Sequence, residues 1–280
     1  MANTDYTIRG SGLICPTATS FSTVSPGQLV IPFAGYRSAS ATVPAVGSAV
    51  MLNEEIMRLD NFNATDGMIT VARGCADTVP ALHAGGAILW FFDAAFGTDS
   101  REYMATETIG VKLLMRTNGA EMELKNSPPN QLTFNSRFIR PYPPGKLLVN
   151  GLAFFLPFVI NSDSNVLNIS WAHRDRITED DQLIGHEVGN IGPEAGTTYI
   201  VRVYKANNTL VRTTSGIVGT TLAYTLAQAV DDLDALTDAA PGYITLFSER
   251  DGLESMQGYR IDFSVKASGW GYAWGAAWGN

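Results

Sequence analysis

Acid–base chemistry needs titratable side chains within hydrogen-bond reach of one another, and the three histidines, His83, His173 and His186, are the natural candidates near neutral pH. His83 follows Pro80-Ala-Leu in a segment read as a loop, where it is expected to be a turn residue donating to a backbone carbonyl. His173 belongs to Trp171-Ala-His-Arg-Asp-Arg176, which sets two guanidinium groups around one carboxylate at the end of a strand. Such a cluster either grips a carboxylate or phosphate in bidentate fashion or holds its own loop through internal charge pairs. The sequence has no Gly-x-Ser-x-Gly elbow and no glycine-rich phosphate loop. No residue is assigned to catalysis, no cofactor is expected, and the chain reads as a non-enzyme.

Metal chemistry fares similarly. Calcium needs about six to eight oxygens on a loop that wraps the ion. Glu179-Asp-Asp181 reads as a charged loop, and Asp231, Asp232, Asp234 and Asp238 lack the alternating Asp-x-Asp-x-Asp-Gly spacing. No metal site is expected, with calcium on these loops as the alternative. Cys15 and Cys75 show neither Cys-x-x-Cys spacing nor a nearby histidine, so both read as buried thiols.

The carboxyl end, Ser268-Gly-Trp-Gly-Tyr-Ala-Trp-Gly-Ala-Ala-Trp-Gly-Asn280, spaces Trp270, Trp274 and Trp278 four residues apart, with Tyr272 between them. That spacing would align the rings on one helix face, but Gly271, Gly275 and Gly279 would each cost ~1 kcal/mol inside a helix. The segment needs a partner surface. Trp270, Tyr272, Trp274 and Trp278 are therefore the candidate interface residues, facing the chain's own sandwich, a neighbouring subunit or a stacked sugar.

The elements that must position these groups follow from composition. The chain has 280 residues, 45% hydrophobic and 16% charged, with 27 glycines and 13 prolines, so it reads as globular and turn-rich, with no long helices expected. At ~150 residues per domain it has room for two. The formal charge of -8 and the lack of a Lys/Arg cluster disfavour nucleic acid. The start, Met1-Ala-Asn-Thr-Asp-Tyr, has neither the basic nor the apolar region of a signal peptide, so synthesis in a cytosol is expected. The apolar stretch Leu147–Ile160 is broken by Asn150, Gly151 and Pro157 and falls short of the ~20 residues of a membrane span.

From Tyr6 to about Phe138, short β-branched and aromatic runs alternate with Gly, Pro, Asn and Asp. Strands are expected at 28–32, 49–52, 55–61, 68–73, 87–92, 106–115 and 132–134, with Asp66-Gly67 forming a type I′ hairpin turn. Arg140-Pro-Tyr-Pro-Pro-Gly145 is a stiff spacer. Beyond it, strands at 147–152, 166–172, 198–205, 209–214, 220–226, 243–248 and 259–265 fit a β-sandwich, with a helical turn or two near 227–236. The fold class is all-β.

Asn168-Ile-Ser-Trp171, Tyr199-Ile-Val-Arg-Val-Tyr204, Tyr243-Ile-Thr-Leu-Phe-Ser248 and the closing strand 259–265 resemble a fibronectin type III domain, an immunoglobulin-like sandwich. The resemblance makes Trp171 its core tryptophan, packed between the sheets. It departs from the family between Asp175 and Thr197 and at Asp231-Asp-Leu-Asp234. Val71-Ala-Arg-Gly-Cys-Ala-Asp-Thr-Val-Pro-Ala-Leu-His83, the proline spacer, Ile169-Ser-Trp-Ala-His-Arg-Asp-Arg176 and the Trp/Gly-rich end together resemble a family of bacteriophage tail proteins. That resemblance implies a virion structural protein of the tail tip or baseplate. Its partners would be other tail proteins and copies of itself, without nucleic acid or a membrane span. The expected division is a β-rich docking domain over 1–139, a fibronectin type III-like sandwich over 140–267 and a tail over 268–280. The alternative is a tail-tip adhesin that binds a host cell-surface glycan or protein, and a third reading, a cell-wall hydrolase, lacks an identifiable carboxylate or Cys/His pair.

Overall fold

A computed structural model of the chain describes residues 13–16, 23–33, 43–91, 101–112, 114–115, 119–235 and 240–266. The candidate residues Trp270, Tyr272, Trp274 and Trp278, and with them Asp238, lie outside the described residues. What is described is all-β, with a single short α-helix.

The first sheet is built from β1 (Leu13–Pro16), β3 (Val30–Pro32), β4 (Ala49–Leu52), β5 (Glu55–Asn63), β6 (Met68–Ala72) and β8 (Ile88–Phe91), in the order β1-β8-β4-β5-β6-β3, all antiparallel. β2 (Thr23–Val24) and β7 (His83–Ala84) form a separate short ladder. Strict alternation turns Val50, Leu52, Met57, Leu59, Ile69, Val71, Leu89 and Phe91 to one side, where Val24, Ile31 and Phe33 close the core. The expected hairpin joins β5 to β6, but its turn differs. Asn63 pairs with Met68, so four residues make the loop, and only Gly67, at φ +65°, takes the left-handed conformation. The Asn63 side chain accepts from the amides of Thr65 and Asp66 at 3.0 and 3.1 Å, which stabilises this longer turn over the two-residue type I′ form.

Within Gly97–Arg140 the described residues form a compact unit of their own. It holds a two-stranded ribbon, β9 (Thr108–Val111) with β10 (Asn130–Thr133), and a stacked Tyr103–Phe134 pair with centroids 4.5 Å apart. Backbone bonds from Thr106 to Phe134 and from Phe134 back to Glu107 extend the ribbon beyond its ladder.

The carboxyl-terminal sandwich contains β11 (Gly145–Val149), β12 (Leu152–Ala153), β13 (Phe158–Ile160), β14 (Val166–Ala172), β15 (Thr198–Lys205), β16 (Leu210–Ile217), β17 (Thr221–Thr225), β18 (Ala240–Arg250), β19 (Leu253–Glu254) and β20 (Tyr259–Val265). One sheet runs β12-β11-β14-β17 and the other β13-β20-β18-β15-β16, with β19 paired to β18. The expected strand at 147–152 is split into β11 and β12 by Asn150 and Gly151. Their φ values of +51° and +77° make the two-residue hairpin turn that Asp66-Gly67 does not. Leu147, Val149, Leu167, Ile169 and Tyr224 of one sheet meet Tyr199, Val201, Ile244, Leu246, Ile261 and Phe263 of the other in one core. Trp171 is buried there, edge-on to Tyr199 at 5.3 Å, as the fibronectin type III resemblance requires. The helix α1 (Leu226–Leu233) sits between β17 and β18 and is opened by a capping box of Thr225 and Gln228.

Described residues of Arg9–Phe96 and of Pro141–Asn280 belong to one compact unit, so the first sheet is joined to the sandwich. A set of polar bonds joins the first sheet to the sandwich.

Candidate functional site

Beside that junction lies Glu55, which opens β5 on the same side as the core residues Met57 and Leu59. Its carboxylate is fully buried and accepts five hydrogen bonds: two from Arg73 (2.6 and 2.8 Å) and one each from Gly74 N (3.0 Å), Ala81 N (2.9 Å) and His83 Nε2 (2.8 Å). Arg73 spends its remaining donors on the carbonyls of Ser25, Gln28 and Ala81 at 2.7, 2.9 and 2.8 Å. The segment from Arg73 to His83 is thus wound around one carboxylate. Burial works against the Glu55 charge, but the hydrogen bonds from Arg73 and His83 outweigh it and lower the pKa to about 2.

A second clamp lies on the sandwich side. Arg174, just past β14, is buried and donates to both oxygens of Glu179, from Nε at 2.9 and 2.8 Å and from its terminal nitrogen at 2.5 Å, and also to the Ile184 carbonyl at 3.3 Å. The Asp175 amide donates to Glu179 as well, at 3.1 Å, and the guanidinium lies 5.7 Å from the Tyr142 ring centre in the proline spacer. Arg176 pairs with Glu194 at 2.9 Å. The segment 171–176 is therefore held by charge pairs, with Nε and one terminal nitrogen of Arg174 committed to Glu179 and the Ile184 carbonyl.

Between the clamps the two β bodies are stitched together. Gln257 donates to the Glu54 carbonyl (2.9 Å) and accepts from the Val79 amide (3.0 Å); Arg58 donates to the Leu183 carbonyl (2.8 Å). The His186 amide donates to the Arg73 carbonyl at 2.9 Å, while its own carbonyl accepts from Lys146 at 2.6 Å. At Gly185 a Cβ would sit 3.0 Å from the Ala72 methyl, so a glycine is what lets the segment between β14 and β15 approach the end of β6. Val79 belongs to the sandwich core even though it comes from the amino-terminal half.

His186 is the anomaly of the junction. It is buried against Phe154 and Tyr259, and neither ring nitrogen has a hydrogen-bond partner; the Glu187 carboxylate stands 3.7 Å from Nε2. The Tyr259 hydroxyl is buried and unpartnered too. Desolvation pushes the His186 pKa down to about 4. Cys75, buried in the same region, has its thiol pushed up to about 12 by desolvation, which leaves it protonated and a poor nucleophile.

The sequence candidates fall as follows. His83 does not donate to a backbone carbonyl: Asn53 Nδ2 donates to its Nδ1 at 3.0 Å, which leaves Nε2 to donate to Glu55. His173 Nδ1 lies 2.5 Å from the Tyr199 hydroxyl, apart from the arginine clamp. Asp232 is held by two bonds from Arg212 (2.6 and 2.8 Å) and one from the Tyr224 hydroxyl (3.0 Å), anchoring α1, and Asp234 pairs with Lys205. Among the described residues no group of three or more His, Cys, Asp or Glu is placed to hold a metal ion, and no helix is long and apolar enough to cross a membrane. The side chain of Cys15 lies outside the described residues. Glu55 and Gln257 belong to no motif, and of the two only Glu55 leaves a signal, a charge on the apolar side of an alternating strand; His186 and Glu179, considered for acid–base and calcium chemistry, sit instead in a buried aromatic setting and in the Arg174 clamp.

No protein-family model matches the chain and no curated protein matches it. Among solved structures it is similar to a Fn3-like protein from Clostridium thermocellum, at 14% identity over 46% of this chain and 95% of that one, with a TM-score of 0.23. It is also similar to the FN1-FN3 domains of chicken CNTN1, at 8% identity over 92% of this chain and 65% of that one, TM-score 0.27. A third likeness is to the BSP domain of a biofilm associated protein, at 10% identity over 87% and 28% of the two chains, TM-score 0.21.

Proposed function

We propose that the chain is a non-enzymatic structural subunit of a bacteriophage tail, acting in the tail tip or baseplate through contacts with other virion proteins and with copies of itself. The tail assignment comes from the sequence resemblance. The observation that carries the structural role is the Glu55–Arg73–His83 cluster: its buried charges are spent on one another and on backbone groups, and the Arg73 carbonyl accepts from the His186 amide on the sandwich side. A subunit whose task is to hold a position in an assembly gains from two β bodies locked as one. Contact surface is available on the first sheet, where Val30, Ile88 and Trp90 are 49%, 41% and 41% exposed.

Mass spectrometry of purified phage particles, with electron microscopy of particles labelled by an antibody to this chain, tests the reading. Labelling at the distal tail is expected; absence of the chain from intact particles overturns it. Removing Gly269–Asn280 is expected to leave a folded protein that assembles poorly, and normal assembly by the truncated chain would remove the tail segment from the interface.

A further inference from the structure

The outer face of the sheet β12-β11-β14-β17 is not used by the junction. Along β14, Leu167, Ile169 and Trp171 enter the core while Val166, Asn168 and Ser170 turn outward. In register beside them on β17 stand Ala223, opposite Asn168, and Thr221, opposite Ser170. The Asn150–Gly151 turn walls one side of this face, and the turn beginning at Asn161 closes one end, leaving an open groove of about 810 Å³. That volume lies within the ~300–1,000 Å³ typical of small-ligand sites. The wall is tied to the floor: Asn150 accepts from the Asn168 amide at 2.8 Å and donates to the Val166 carbonyl at 3.3 Å.

We propose that this groove binds a neutral carbohydrate. Among the described residues, the side chains of Ser164, Asn165, Asn168, Ser170 and Thr221 line it with no hydrogen bond of their own, so amides and hydroxyls stand ready as donors and acceptors. Sugar hydroxyls play both roles and match such a set. The lining contains no Lys, Arg or His, and its one charge is the Asp163 carboxylate, which would repel phosphate, sulfate or uronate groups while accepting from a pair of sugar hydroxyls. Val166 and Ala223 supply a small apolar strip for the C–H face of a ring. A protein partner would call for large aromatic or Arg anchors, and the groove's lining holds neither. The proposal goes beyond the assembly role and stands or falls separately from it.

The test applies the full chain to an array of neutral and anionic glycans, followed by calorimetry with maltotriose, mannotriose, chitotriose, lactose and a trigalacturonate control. At least one neutral glycan is expected to bind. Asn168→Ala with Thr221→Ala should weaken it about tenfold or more, the scale of one or two lost hydrogen bonds, with the melting temperature unchanged because both side chains are exposed. Ala223→Lys should abolish it by filling the floor. The proposal is overturned if no neutral glycan binds, if the acidic control binds as well as the neutral ones, or if binding survives both variants.

Discussion

Glu55 and His83 lie 28 positions apart, yet the histidine Nε2 meets the carboxylate Oε2 at 2.8 Å where solvent barely reaches either side chain. Arg73, the residue after β6, closes the triangle, so the end of β6 is tied to β5 and β7 through one carboxylate. A buried charge of this kind is costly to create and costlier to leave unmatched, because the surviving partner keeps its desolvation penalty without its counter-charge.

Glu55→Gln, or Arg73→Met, is therefore expected to lower the unfolding free energy by about 3–5 kcal/mol, measured by urea denaturation. The double variant should lose clearly less than the sum of the two, with a coupling of about 1 kcal/mol or more. Additive losses would mean that the two side chains act independently and that the clamp is incidental.

Gly185 tests the stitching of the two β bodies without touching a charge. A Cβ there would press on the Ala72 methyl at 3.0 Å and approach the Arg73 carbonyl at 3.5 Å. Gly185→Val is expected to cost about 1–3 kcal/mol and to raise hydrogen exchange of the His186 amide, which bonds to the Arg73 carbonyl. Unchanged exchange at that amide would show that the approach is not tight in solution.

Cys75 should be inert. Its thiol is buried and pushed up to about 12, so at pH 8 almost none is thiolate. Iodoacetamide followed by peptide mapping is expected to leave Cys75 unmodified in the native protein and to alkylate it fully in denaturant. Rapid native labelling would contradict the burial of this loop.

Much of the sheet architecture was legible because it rests on local alternation: the expected strands at 49–52, 166–172, 198–205 and 259–265 coincide with β4, β14, β15 and β20. Trp171 was legible for the same reason, as a large apolar side chain at an inward position of β14. The junction was not. Arg73 and His83 were visible as parts of a motif, but their shared partner sits on another strand, and pairings at separations of 18 and 28 residues leave no local period. His83 looked like a turn residue because its neighbours say nothing about Asn53 and Glu55. Gln257 joins Glu54 across 203 positions, a contact that only the folded chain defines. The Asp66-Gly67 turn was placed correctly in sequence but given the wrong length, since the bonds from the Thr65 and Asp66 amides to Asn63 compete with the shorter form.

His186 sets the acid response of the junction. Its ring faces Phe154 and Tyr259 from the sandwich, with Glu187 beside it, and the field of Arg73 and Arg174 opposes its protonation while Glu55 favours it. Desolvation dominates and holds the folded-state pKa near 4, against 6.5 for a free imidazole. With the folded value depressed, the unfolded chain takes up the proton first, so stability is complete above about pH 6.5 and falls as pH drops toward 4. Glu55 adds only at the acid end of this window: with 4.5 as its ordinary value and about 2 in the folded chain, its contribution is complete above about pH 5 and is lost from there down toward pH 2. His186→Phe keeps a ring between Phe154 and Tyr259 and removes two unpartnered nitrogens, so it is expected to match or exceed the wild-type stability at pH 7. Denaturation midpoints measured from pH 7 to pH 4 should decline less steeply for the variant than for the wild type. Parallel slopes would assign the acid sensitivity to other groups and return His186 to the role of an ordinary packing residue.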